Sequence, residues 1–219
     1  MKVIALVQLK GGAGKSTLAT TLAAQAAASA STVLIDGDAP QLSSASWASI
    51  RAENDKLRSR LSCTTADSAE ALLDAVDQAE AAGAAYCFID CAPRLERITR
   101  AALMRADLVL VPIGPSMSDV WATQDLAALL QQAEAVRPLQ VRAVWNRRGP
   151  TRLFHALSES LKSVFPYPAL SGLSYRVSYA EAFGLGLTVL ELPGAPAAAR
   201  KEAKALYSAM KKTLKDVQK

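Results

Sequence analysis

Val3-Ile4-Ala5-Leu6-Val7-Gln8-Leu9-Lys10-Gly11-Gly12-Ala13-Gly14-Lys15-Ser16-Thr17 is the stretch whose reading decides the fold. Val3 to Gln8 is a short apolar run that reads as a strand, and after Lys15 an Ala/Leu/Thr pattern with helical spacing begins. A glycine-rich loop between a strand and a helix is the context a phosphate-binding loop requires. The glycines let backbone N–H groups turn inward around phosphate oxygens, and the helix N-terminus adds positive potential. Lys15 is then placed to reach the β- and γ-phosphates, and Ser16 to ligate magnesium. The ordinary form, G-x4-G-K-S/T, would need glycine at position 9, where Leu9 stands. The chain carries a variant instead, and Lys10, Gly11, Gly12, Ala13, Gly14, Lys15, Ser16 and Thr17 are all expected to line the nucleotide.

Outward from this loop the same alternation repeats. Thr32 to Ile35 followed by Asp36, and Ala85 to Ile89 followed by Asp90, are continuous apolar runs ending in a carboxylate, as strands buried on both faces are. Leu108 to Pro112 and Val141 to Trp145 are two more runs, with helical segments expected over Thr99 to Arg105, Asp119 to Val136, Thr151 to Val164 and Ala197 to Val217. Residues 51 to 66 are polar and irregular and receive no assignment. Strand and helix in turn imply right-handed crossovers and a three-layer α/β fold, a mostly parallel twisted sheet covered by helices on both faces. One domain over residues 1 to 219 is expected, with ligands beyond the carboxyl ends of the strands, so that the acidic strand ends share one site.

Composition excludes several classes. Hydrophobic residues make up 51%, charged residues 21% and aromatics 5%, too apolar for disorder and too broken by charge for a membrane bundle. The first residues lead into the loop and not into a cleavage site, and no run approaches the roughly 18 apolar residues of a spanning helix. Cys63, Cys87 and Cys91 form an odd set without a CxxC pair, indicating neither a disulfide framework nor a zinc site. A soluble protein of a reducing cytoplasm is expected. His155 is the one histidine, so histidine-based acid/base chemistry of a metabolic kinase or transferase has no support.

The net charge of +5 is unevenly distributed. Residues 1 to 136 carry 11 Lys/Arg against 15 Asp/Glu, whereas residues 137 to 219 carry 14 against 5. A basic C-terminal part is expected to meet a polyanion, either nucleic acid or an anionic membrane.

With these residues in view, the chain resembles the deviant Walker ATPases of the ParA/MinD group, whose loop reads KGGxGK followed by Ser or Thr. The resemblance extends over nearly the whole chain, and the short form looks most like the small plasmid-partition ParA (ParF-like) proteins. It implies an ATPase that binds ATP or ADP with Mg2+ and pairs into a nucleotide-sandwich homodimer, with Lys10 as the signature lysine that reaches the partner's phosphates. Lys10, Lys15 and Asp38 are then the catalytic candidates, Asp38 positioning the attacking water. Asp36 and Asp38 match the family's switch carboxylates, although Ala39 is inserted where the family has Asp-x-Asp-Pro-Gln. Asp90 looks like the Walker B aspartate, so Ser16, Asp36 and Asp90 are the metal candidates. Cys91-Ala92-Pro93 stands where Thr-Pro-Pro is frequent, Ala106 to Pro112 resembles the ADLVLVP strand, and Ser116 to Trp121 its PSxxDxW continuation. Asn146 before Arg147 falls where adenine is contacted.

The function so implied is ParA-type partition: an ATP-bound dimer on non-specific DNA, associated with the nucleoid, released when a ParB-like or other cargo-binding activator stimulates slow intrinsic hydrolysis. Arg147, Arg148, Arg152, Lys162, Arg176, Arg200, Lys201 and Lys204 are the candidate phosphate contacts. The alternative is a MinD-like membrane positioner, since Leu206, Met210, Leu214 and Val217 form one stripe among Lys211, Lys212 and Lys215. That stripe lacks Phe or Trp, and a final helix packing it on the sheet is the commoner explanation. Cys91 reads as a buried thiol, and Trp47, Trp121 and Trp145 as core or interface anchors.

Overall fold

A computed structural model describes residues 1–39, 41–54, 57, 60–93, 97–149 and 154–216. Seven strands, β1 (Lys2–Leu6), β2 (Thr32–Gly37), β3 (Leu61–Thr65), β4 (Tyr86–Cys91), β5 (Leu108–Ile113), β6 (Gln140–Trp145) and β7 (Ala169–Ser171), form one sheet in the order β3-β2-β4-β1-β5-β6-β7. Every pairing in it is parallel. The helices are α1 (Lys15–Ala27), α2 (Ser43–Ala52), α3 (Ala69–Ala81), α4 (Arg97–Arg105), α5 (Met117–Trp121), α6 (Gln124–Val136), α7 (Phe154–Val164), α8 (Val177–Gly184) and α9 (Ala197–Asp216).

Strand alternation builds the two cores. Val3, Ala5 and Val7 face one side with Ile35, Ile89 and Val109, under α3, α4, α6 and α7. Ile4 and Leu6 face the other with Leu34, Phe88 and Leu110, under α1, α2, α8 and α9. On α1 the alanines Ala19, Ala23 and Ala26 are fully buried, and their small side chains let the helix backbone approach the sheet closely. Strand order reverses at β1: the chain proceeds from it toward β2 and β3 on one side and later toward β5, β6 and β7 on the other. The loop after β1 therefore opens into the crevice where ligands bind in such sheets. Asp36 pairs in register with Asp90 across β2 and β4, so the two acidic strand ends do meet at one level.

Two readings of the sequence change. The unassigned stretch 51–66 contains the end of α2 and the whole of β3. β3 lies at the sheet edge and is half exposed, so it lacks the continuous apolar run of a central strand. The single helix expected over Asp119 to Val136 is two helices. Ser116 caps α5 by accepting from Asp119 N, and α5 closes at Ala122 and Thr123, where the Thr123 hydroxyl donates back to Val120 O. Thr151, the expected start of α7, lies outside the described residues. At the C-terminus, Leu206 and Met210 are fully buried and Leu214 nearly so, so these three residues of the α9 stripe belong to the core, while Val217 lies outside the described residues. Among the described residues, no helix is long and apolar enough to cross a membrane.

Candidate nucleotide site

The loop between β1 and α1 is shaped by a buried polar residue that interrupts the apolar strand. Gln8 Nε2 donates to Pro112 O at 3.0 Å, tying the loop to β5, while its Oε1 accepts from Leu9 N at 2.7 Å. Gly12 and Gly14 take φ values of 74° and 93°, in the left-handed region open to glycine. Gly14 is the N-cap of α1 and provides no side chain to bond the helix's first N–H groups, which leaves them for an anion. The loop is propped from outside by Asn146, whose Nδ2 donates to Ala13 O at 2.9 Å, and by Arg147, whose Nη1 donates to Gly12 O at 2.8 Å. Asn146, expected at the adenine, thus directs its amide donor at the loop while also lining the cavity.

That cavity has a volume of about 570 Å³. It is lined by the glycine loop with Lys15, Ser16 and Thr17, by Asp38, Gln41, Ser43 and Pro93, and by a wall of Leu173 to Arg176 with Tyr179 and Phe183. Lys15 is buried; desolvation lowers its pKa, while Asp90, Cys91 and Asp38 favour its charge. Lys10 is absent from the described lining. Its Nζ instead lies 2.7 Å from Asp119 Oδ1 and 3.0 Å from Ser118 Oγ on α5.

The carboxylates divide by task. Asp36 is fully buried, with Oδ1 accepting from Asp38 N at 3.0 Å and Oδ2 from Ala45 N at 2.9 Å. Each oxygen accepts one backbone N–H, and these bonds shape the connection into α2. Asp38 lines the cavity in spite of the inserted Ala39; its carbonyl accepts from Gln41 N and Leu42 N, and Leu42, at φ 46°, turns the chain into α2. Asp90 Oδ2 accepts from Ser44 Oγ at 2.7 Å. Its Oδ1 is buried and has no well-formed hydrogen bond among the described residues; the Ser16 hydroxyl is near enough to favour the charged form without donating in that geometry. Burial pushes the Asp90 carboxyl up to about 6. A buried carboxylate oxygen lacking a donor, beside a serine at a phosphate loop, fits the water shell of a hard cation such as Mg2+.

Several contributors were not found by sequence reasoning. Gln8 was signalled only by being polar at the end of an apolar strand. Ser44 and the wall of Ser174, Tyr175, Arg176 and Tyr179 have no motif to mark them. Of the basic candidates, Arg147 is held by Gly12 O and lies over the Tyr175 ring, and Arg176 pairs with Glu202. Arg200 donates to Leu192 O, Lys162 pairs with Glu159, and Arg148 lines a separate cavity with Trp145 and Lys162. Lys201 and Lys204 are exposed on α9, and Arg152 lies outside the described residues. Trp47 and Trp145 are buried, whereas Trp121 is 62% exposed two residues beyond Asp119. Burial pushes the Cys91 thiol pKa up, which suits an inert core thiol.

Comparison with known proteins agrees with this geometry. The chain is 25% identical over 193 residues to the maintenance of carboxysome distribution protein A of Halothiobacillus neapolitanus, covering 86% of this chain and 87% of that one. Apo McdA from Cyanothece superposes with a TM-score of 0.77 at 20% identity, over 96% of this chain and 99% of that one. A plasmid partition protein from Borrelia burgdorferi B31 bound to AMPPNP gives a TM-score of 0.71 at 18% identity, over 99% and 97%. The two structures establish a shared fold. Residues 4–189 match the CobQ/CobB/MinD/ParA nucleotide binding domain, and the chain belongs to that family, as a nucleotide-binding ATPase of its ParA/MinD group.

Proposed function

We propose that the chain is a Mg2+-dependent ParA-type positioning ATPase in which ATP drives a sandwich homodimer that binds DNA without sequence preference. One observation carries the reading: of the loop's two lysines, Lys15 lies inside its own cavity and Lys10 lies outside it, on the rim beside α5. A lysine so placed serves a second protomer's phosphates better than its own. Within one protomer, Lys15 and the α1 N-terminus hold the triphosphate and Asp38 orients the attacking water. Such positioning and charge neutralisation are what phosphoryl transfer needs. Magnesium, when bound, neutralises phosphate charge; Ser16 would ligate it directly and Asp90 through water. With no stronger base than Asp38 among the described residues of the cavity, intrinsic turnover is slow, and an activating partner of ParB-like or other cargo-binding type accelerates it. The dimer then resides on the nucleoid in the cytoplasm, and its cargo is a plasmid, a chromosome or a body such as the carboxysome named for the Halothiobacillus relative.

DNA is favoured over a membrane by α9. Leu206, Met210 and Leu214 pack in the core, so α9 could offer them to a bilayer only by undocking and baring to water the sheet face it covers. Lys201, Lys204, Lys211, Lys212 and Lys215 are all exposed on that helix, within an arc of about 100° at 100° per residue. The test is binding of the purified protein to random-sequence duplex DNA and to anionic liposomes, each with ATP, ADP or no nucleotide, with Lys15→Ala as control. ATP-dependent, salt-sensitive DNA binding that disappears in the variant is expected. Liposome binding without DNA binding would overturn the reading in favour of a membrane positioner.

A further inference from the structure

Backbone bonds tie Leu173 and Tyr175 of the cavity wall to Arg148, and one side chain collects the polar groups of the same wall from behind. Glu202 of α9 accepts from Ser174 N at 3.1 Å and from Ser174 Oγ at 2.9 Å. Arg176 donates to it through Nη2 at 2.8 Å and Nε at 3.4 Å, and the Tyr179 hydroxyl donates at 3.1 Å. Five donors from three residues, lying 23 to 28 positions earlier in the chain, thus converge on one carboxylate. The helix that presents it is fixed in the core on either side by Ala199 and Ala203, both fully buried. The single Tyr179 hydroxyl hydrogen is shared between Glu202 and Ala199 O, also at 3.1 Å, so the wall is tied to the α9 backbone as well. None of the Glu202 bonds goes to the glycine loop itself, which Gln8, Asn146 and Arg147 hold, although Arg147 also lies over the Tyr175 ring.

We infer that Glu202 is a positioning residue for the nucleoside end of the bound nucleotide. The inference rests on the reading of the cavity as an ATP site. A triphosphate anchored at Lys15 and the α1 N-terminus directs its sugar and base along the cavity toward Ser174, Tyr175 and Arg176. Charge-assisted bonds to a carboxylate hold such a wall in one arrangement, removing the ordering cost from the binding event. The wall meets a part of the substrate that does not change during hydrolysis, so it binds ground and transition states equally. Removal of Glu202 therefore raises KM and leaves kcat in place.

The test titrates ATP, ADP and inorganic tripolyphosphate into the full-length wild type, Glu202→Ala and Glu202→Gln, with thermal melting of each and steady-state hydrolysis of ATP. Glu202→Ala is expected to weaken ATP and ADP about ten-fold while tripolyphosphate stays within about two-fold of wild type. Glu202→Gln, isosteric and still an acceptor for Ser174, is expected to fall between. ATP affinity unchanged in either variant would overturn the inference. So would an equal loss for ATP and tripolyphosphate, which marks a general fold effect. If Glu202→Ala does not melt cooperatively, the same comparison on Glu202→Gln decides. A wild type that binds none of the three ligands would overturn the nucleotide reading itself, a result distinct from normal ATP binding in the variants.

Discussion

Lys10 Nζ stands 2.7 Å from Asp119 Oδ1, so the first lysine of the phosphate loop is held by α5 of its own chain while Lys15, five residues on, lies buried in the cavity. The two side chains are 39% and 16% exposed, and an ion pair of that kind contributes about 1 kcal/mol or less. Charge-assisted bonds to a partner's phosphates are stronger than that. In the proposed sandwich dimer, the ion pair is therefore weak enough for an arriving protomer's phosphates to displace.

Lys10→Ala is expected to leave single-protomer ATP affinity within about three-fold of wild type, because Lys10 does not line its own cavity, yet to lower ATP turnover at least about 100-fold through loss of a transition-state charge partner. Equilibrium titration against steady-state hydrolysis checks the split. A parallel loss of both would place Lys10 in its own site.

Gly14→Ala should disable the loop. A Cβ on Gly14 would come 2.3 Å from Asn146 Nδ2, and φ is already 93°. Strain of this kind costs about 1–3 kcal/mol, and relieving it by moving Asn146 withdraws the prop from Ala13 O. Chemical denaturation is expected to show that destabilisation, and ATP titration no measurable binding.

Glu202 carries a pH signature. Its hydrogen bonds hold its carboxyl at about 2, against an ordinary value of 4.5. A folded-state pKa below the unfolded one means stabilisation fully present above about pH 5 and lost as pH falls through 4.5 toward 2. The groups facing it are Ser174, Arg176 and Tyr179, and because the carboxylate is partly solvated its contribution is discounted to about 1 kcal/mol. Unfolding free energies of wild type and Glu202→Gln should differ by that amount at pH 7, by less near pH 3, and converge only below about pH 2, the folded-state value. A difference that stays undiminished from pH 7 down to pH 2 would contradict the assignment.

Replacing Lys201, Lys204 and Lys211 with alanine is expected to weaken DNA binding in the ATP state. The slope of log affinity against log salt should become shallower by about 0.9 for each phosphate that is no longer neutralised. Hydrolysis without DNA should be unchanged, since these residues lie on the solvent face of α9. Electrophoretic shifts over a salt series provide the slope.

What could be read in the chain was what is local. The glycine loop, Lys15, Ser16 and the aspartates closing β2 and β4 announce themselves because each lies within a few residues of its strand, and parallel register alone brings Asp36 level with Asp90. The wall that Glu202 holds was not legible. Ser174, Arg176 and Tyr179 acquire their roles through Glu202, on a helix whose charged residues otherwise look like an ordinary solvated face. Edge position concealed β3, and the break between α5 and α6 depends on the back-bonding Thr123 hydroxyl, which leaves the apolar period undisturbed. The charge excess of the C-terminal part was correctly located, but Arg147, Arg176 and Arg200 turn out to serve the loop, the wall and the α9 start. Local patterns carry no record of which distant acceptor an arginine meets.

The most direct test of the central claim is the solution mass of the wild type by light scattering, with Mg2+ and a non-hydrolysable ATP analogue and again with ADP. A sandwich dimer predicts a mass near twice the 23.1 kDa of the chain in the first case and the single-chain mass in the second. A single-chain mass in both, with the analogue shown to be bound, would contradict it.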